Sequence, residues 1–161
     1  GGKSMRPMIR YAKREELPRV NELRQMVSEL HAEGRPDIFR PGFCDELRQH
    51  GYSMWEAPDA DVIVAEADGR IVGFALVRYI DRPASPYMCA RRVYHIEEFG
   101  VDAAYRRGGV GTALIEFCRA EAARRQFEKM ELDVWAFNEG AQKFYEAAGF
   151  TVCRSYMEIK V

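Results

Sequence analysis

The chain has no apolar run approaching the roughly 18 residues that a membrane span requires. Charge is nearly balanced, with 24 basic and 25 acidic residues among 161 and a formal net charge of -1. That balance argues against nucleic acid as a partner, because such domains are usually strongly basic. Cysteine is sparse: Cys44, Cys89, Cys118 and Cys153 are scattered, and no two lie close together. A zinc site wants paired Cys or His about two to four residues apart, so no metal is expected. The reading is four reduced, mostly buried thiols in a cytoplasmic protein. Repeats and low-complexity segments are lacking as well. The opening Gly1-Gly2-Lys3-Ser4-Met5 lacks the apolar run of a secretion signal and reads as a tag remnant. Residues 1–7 are expected to form a disordered start, with native sequence from Met5 or Met8 and one domain over 8–161.

What is present is core material. The chain is 47% hydrophobic and 12% aromatic, which is incompatible with intrinsic disorder at so small a net charge. Residues 8–13 alternate as a short strand, and Leu17, Val20, Leu23, Val27 and Leu30 recur at helical steps over 15–33. Pro36, Pro41 and Gly42 make 34–51 a loop, with a short helix expected around 45–49. Two β-branched runs, 61–67 and 71–79, flank Asp68-Gly69, a strong hairpin signal. A loop over 81–90 precedes a strand over 92–101, then a helix over 109–127. A strand over 130–136, a helix over 139–148 and a last strand over 150–160 complete the chain. Antiparallel strands first and β-α-β units later predict an α/β domain with a mixed, mostly antiparallel sheet flanked by helices.

The most informative stretch is Asp102-Ala103-Ala104-Tyr105-Arg106-Arg107-Gly108-Gly109-Val110-Gly111-Thr112, which joins a strand to a long helix. Unpaired amides at a helix start, together with the helix dipole, make an anion site. Glycine lets that backbone approach phosphate oxygens, and Arg106 and Arg107 add two cations. A nucleoside triphosphate loop is rejected, because no lysine precedes Thr112. The dinucleotide fingerprint fails too, since Leu114 stands where its third glycine belongs.

Arg106-Arg107-Gly108-Gly109-Val110-Gly111 resembles Arg/Gln-x-x-Gly-x-Gly/Ala, the acyl-CoA pyrophosphate motif of the GCN5-related N-acetyltransferases. Downstream, Asn138, Tyr145 and Gly149-Phe150 resemble the family's second signature, in the right order. The likeness covers the chain in topology and residues 94–152 in detail. It implies a splayed central strand pair, and acetyl transfer from acetyl-CoA to a primary amine of a small molecule or peptide by direct attack in a ternary complex.

The resemblance also assigns roles. Backbone amides from Arg107 to Thr112, including Gly108, Gly109, Val110 and Gly111, would hold the pyrophosphate beside Arg106. The backbone of Phe99 and Val101 would pair with the pantetheine arm, and Asn138 would bond it. Tyr145 would protonate the leaving thiolate. Strand alternation places His95, Glu97, Phe99 and Val101 on one face and Ile96, Glu98 and Gly100 on the other. The resemblance implies Glu97 as the general base, with His95 and Asp133 as alternatives. Acceptor specificity is expected from His31, Arg35, Asp37, Phe39, Arg40, Tyr52 and Trp55 and from the loop over 81–91, unless these residues merely pack a loop. Cys118 and Cys153 do not look like nucleophiles. A non-catalytic acyl-CoA-binding module is the competing reading; it would dispense with Tyr145 and a base. Relatives are often homodimers, and the alternation of Tyr156, Met157 and Ile159 suits a dimer contact or a monomer's edge strand alike.

Overall fold

In the computed structural model, residues 6–161 are described. Residues 1–5, expected to be a tag remnant and including the candidate start Met5, lie outside them. The elements are β1 (Met8–Tyr11), α1 (Leu17–Gly34), α2 (Asp45–Glu56), β2 (Ala60–Ala67), β3 (Arg70–Arg82), β4 (Arg91–Val101), α3 (Val110–Arg124), β5 (Lys129–Glu131) and α4 (Glu139–Ala147). Short 3-10 turns precede α1 and α3. The sheet order is β1-β2-β3-β4-β5. The first three pairings are antiparallel and β4 with β5 is parallel, so the expected mixed sheet is confirmed.

Local chemistry explains most boundaries. Asp68 and Gly69 take φ of 53° and 72°, the positive values a two-residue hairpin turn requires. Pro18 sits in the first turn of α1, where its missing N–H costs nothing. Asn138 caps α4, its side-chain oxygen accepting from the Ala141 amide at 3.1 Å. Each sheet face has its own core. Val62, Val64, Phe74 and Leu76 meet Leu17, Val20, Leu23 and Met54 of α1 and α2. Ile63, Ala65, Val77, Tyr94 and Ile96 meet Val110, Leu114, Ile115 and Cys118 of α3.

Four expectations need correction. The second helix is not a short turn at 45–49 but runs through Glu56. Gly51 inside it is a contact position: a Cβ there would lie 2.8 Å from Asn21 Oδ1 of α1. The strand expected over 130–136 pairs only as far as Glu131, and the one expected over 150–160 pairs with no strand among the described residues. Residues 151–161 are exposed and form no helix, turn or ladder. The thiols are free, as expected, but only Cys118 is buried; Cys44, Cys89 and Cys153 are exposed. Among the described residues no helix is long and apolar enough to cross a membrane.

Candidate active site

The site begins where β4 and β5 part. Their parallel ladder joins Val93 to Lys129, Tyr94 to Met130 and His95 to Glu131, and then ends. β4 continues six residues further, to Val101, paired with β3 alone. One side of its backbone is thus left open for a ligand to pair with, beside Phe99 and Val101.

The alternation expected along β4 breaks within this stretch. Leu76 pairs with Glu98 while its neighbour Val77 pairs with Ile96, so Glu97 is the extra residue of a β-bulge. Ile96, Phe99 and Val101 consequently all meet the α3 side. Glu97 and Glu98 both turn to the α1–α2 side. Glu98 takes a double hydrogen bond from Arg24 of α1, at 3.0 Å each. Glu97 Oε2 lies 2.8 Å from Nε2 of His50 in α2, and Arg78 approaches its other oxygen at 3.5 Å. Glu97 and Phe99, expected on one face, therefore meet opposite layers. His95 faces β5, its Nδ1 3.1 Å from Glu131 Oε1.

The glycine turn lies at the far end of β4. Asp102 anchors it: one oxygen accepts from the Ala104 amide at 3.0 Å, and the other accepts from Arg19 at 2.7 Å. The Ala104 amide, seconded by the Arg19 guanidinium, holds the Asp102 carboxyl below the usual range. Arg107 and Gly109 have φ of 68° and 83°, and Gly109 is the N-cap of α3. The first acceptor bond into the helix runs from the Ala113 amide to the Gly109 carbonyl. The amides of Val110, Gly111 and Thr112 are the orphan donors of the first turn. A Cβ at Gly109 would meet nothing within 4 Å, so the space above that backbone is open. Gly111 serves another purpose: a Cβ there would lie 2.9 Å from Phe144 Cζ, and its absence lets α4 close on α3.

That contact sets Tyr145. Its ring packs edge-on to Phe99, Phe144 and Phe150 at centroid distances of 5.9, 5.4 and 5.7 Å. Burial pushes its hydroxyl pKa up to about 12, so it holds its proton at neutral pH. The turn, the open backbone at Phe99 and the Tyr145 ring therefore form one seam along β4, α3 and α4. Open donors and an unpaired strand side are what a pyrophosphate and a pantetheine amide chain need, so the residues present fit acetyl-CoA.

The remaining expectations divide. Asp133 is exposed beyond the end of β5, away from the ladder. Asn138 spends its side-chain oxygen on the cap of α4. Trp55 donates to the Ala12 carbonyl at 2.8 Å, and it packs with Tyr52 against the α1–α2 core, so these two hold the fold together. His31 and Phe39 instead join Trp135 and Phe137 in an aromatic cluster, with Arg35 over the Trp135 ring. His50, Arg78, Trp135 and Phe137 escaped sequence reading. His50 was missed because its helix was read too short, and the others because nothing local marks a side chain that acts across the sheet. Ligand-type atoms of His50, Glu97 and Glu98 lie within 4.8 Å of one another, but both carboxylates already face guanidinium groups. Cys118 is buried and pushed up to about 11 by desolvation, which suits packing rather than nucleophilic work. Two surface concavities, one between α1 and α2 and one around Tyr79 and Phe127, include none of the seam's residues.

Comparison with known proteins agrees with this geometry. The model of the acetyltransferase (GNAT) family matches residues 20–150. The chain belongs to that family and is an N-acetyltransferase by class. Among solved structures, a mutant of the BH1408 protein from Bacillus halodurans is 26% identical with a TM-score of 0.92, over 96% of this chain and 99% of that one. The aminoglycoside acetyltransferase AAC(6')-Iy, solved with a CoA-linked bisubstrate analogue, is 21% identical with a TM-score of 0.77, over 98% and 99%. An aminoglycoside acetyltransferase from an uncultured soil metagenomic sample, in complex with sisomicin, is 18% identical with a TM-score of 0.66, over 96% and 97%. These last two share the fold. No curated protein matches the chain by sequence.

Proposed function

We propose that the protein transfers an acetyl group from acetyl-CoA to a primary amine of a small molecule or peptide, by direct attack in a ternary complex. The observation that carries this reading is the seam itself, which joins open amides at α3, the unpaired side of β4 and a protonated Tyr145. Acetyl-CoA supplies the acetyl group as a thioester, which an amine can attack directly. The amides of Val110 to Thr112, with Arg106 and Arg107, bind the pyrophosphate and fix the register of the chain beyond it. Backbone groups at Phe99 and Val101 align the pantetheine as an added strand. Asn138 contributes through its side-chain nitrogen, its oxygen being committed to the cap.

An ammonium must lose a proton before it can attack. Glu97, turned to the acceptor side by the bulge and held by His50 and Arg78, is the base, directly or through water. His95, paired with Glu131 on the neighbouring strand, is the alternative. Tyr145 donates its hydroxyl proton to the departing thiolate. With Glu98 already paired to Arg24, the Glu97 carboxylate is the group on this side of the cleft that suits a cationic acceptor. The aromatic cluster of His31, Phe39, Trp135 and Phe137 offers it an apolar wall. Four unpaired cysteines are in keeping with the cytoplasm.

The test is a calorimetric titration with acetyl-CoA of the wild type, Gly109→Glu and Gly109→Asn. Both variants carry a side chain at a positive φ, but only Glu places charge where the pyrophosphate binds. Tight wild-type binding, kept largely by Asn and abolished by Glu, is the expected result. Absence of wild-type binding, in protein free of bound CoA, would refute the enzyme and leave the non-catalytic module without a ligand as well.

A further inference from the structure

The last two turns of α1 roof the gap where β4 and β5 part. At Val27 the helix lies on β4, for a Cβ at Gly100 would come within 2.8 Å of Val27 Cγ2. At Gly34 it lies on the chain beyond β5, where a Cβ would collide with the Phe137 ring. From Val27 to Gly34 the helix rises about 10 Å. The β4–β5 ladder has already ended at His95 and Glu131, so the two strands no longer pair along this stretch. Val27, His31 and Gly34 are spaced four and three apart and share one helix face, which turns His31 toward the gap.

Aromatic rings line this roof. His31 lies 5.1 Å from Phe39 and 6.0 Å from Phe137, centroid to centroid. Trp135 meets Phe39 at 5.0 Å and Phe137 at 6.2 Å, which closes a circle of four rings. In a core such a cluster would need no explanation. Here Phe137 is 37% exposed and the other three are only half-buried. Large apolar rings left partly open to water at one place mark a surface for a ligand.

Polar partners on this surface are largely spent. Arg35 lies over the Trp135 ring but is held by Asp37 at 2.8 Å and Glu158 at 2.7 Å. His31 donates from Nδ1 to the Val27 carbonyl at 2.9 Å, which leaves Nε2 without a partner among the described residues. Glu98 is taken by Arg24, so Glu97 is the carboxylate that faces the acceptor. An acceptor with many hydroxyl or ammonium groups would need a polar partner for each group it buried. A flat ring needs only the faces and edges of other rings.

We propose that the acceptor is a primary amine joined to an aromatic ring, with the amine at Glu97 and the ring packed against His31, Phe39 and Trp135. The proposal rests on the acetyltransferase reading and narrows its acceptor to one class.

The test compares kcat/KM, with acetyl-CoA as donor, for 2-phenylethylamine, butylamine, an alanyl peptide and an aminoglycoside. The arylamine is expected to exceed butylamine by about 10²-fold. Trp135→Leu and Phe39→Leu should each lower that ratio by about tenfold while the affinity for acetyl-CoA, read by calorimetry, stays as in the wild type. A ratio near one, a ratio that the variants leave alone, or a preference for the peptide or the aminoglycoside would overturn the proposal. Should no amine be acetylated, titration of 2-phenylethylamine with CoA present separates the two readings. Binding that Trp135→Leu weakens would keep the aromatic site and refute the transfer reaction. Binding that is absent, or indifferent to Trp135→Leu, would refute the site itself.

Discussion

Tyr145 and Glu97 meet opposite layers of one sheet, and their chemistry separates accordingly. Enclosure by three aromatic rings raises the Tyr145 hydroxyl to about 12, so Tyr145→Phe removes a proton donor with little change in packing. Steady-state kinetics should show kcat lower by about 10²–10⁴-fold with KM for acetyl-CoA nearly unchanged. Because the hydroxyl stays protonated far above neutrality, no alkaline fall in kcat below about pH 10 should trace to Tyr145. A wild-type limb below that pH which vanished in Tyr145→Phe would contradict the assignment. Glu97→Gln keeps a hydrogen-bonding group beside His50 but accepts no proton, and kcat should fall by on the order of 10²-fold or more. If His95→Gln fell as far while Glu97→Gln stayed active, the base would be His95.

Between elements, a few contacts transmit the fold to the site. Gly111→Ala would push a methyl group against Phe144, prising α4 from α3 at a cost of about 1–3 kcal/mol. Tyr145 is the next residue along, so kcat should suffer more than acetyl-CoA affinity. Arg24 of α1 is 2% exposed, bonds Asn21 in its own helix, and ties α1 to the Leu47 carbonyl of α2 and to Glu98 of β4. Arg24→Leu removes one partner of this pair and should cost about 3 kcal/mol, read by calorimetry as a Tm lower by roughly 6–12 °C. Asp102 links Arg19 of α1 to the turn before α3. Its pKa is depressed on folding, so its contribution is fully present above the ordinary value of about 3.9 and is lost as pH falls through the lower folded value. Asp102→Asn, which keeps an acceptor for Ala104, should cost about 1–2 kcal/mol at pH 7. That gap should close in urea melts taken below about pH 4.

At the scale of the molecule, a co-substrate that binds only the folded chain must stabilise all of it. At a hundredfold excess over Kd, acetyl-CoA should add about 2.7 kcal/mol and raise Tm by roughly 5–11 °C. Gly109→Glu should abolish that rise. Much of the molecule was legible in the sequence, because its signals are local. Asp68-Gly69 dictates its hairpin through positive φ, periodic Leu and Val residues define α1, and Asn138 and Gly149 bracket α4. The glycine turn is a local signal too, for Gly109 takes a positive φ at the start of α3, although the packing of Gly111 on Phe144 is not. What the tertiary structure decided are the non-local pairings. No local pattern marks Glu97 as the bulged residue, because the bulge is a mismatch in register between two strands. His50 reaches Glu97 only because Gly51 lets α2 pack close to α1. Strand periodicity likewise ran on past Glu131 and Phe150, for an alternating sequence states that a strand can pair without naming its partner. In this chain β5 ends at the splay that opens the cleft, and the alternating residues 151–161 join no ladder among the described residues.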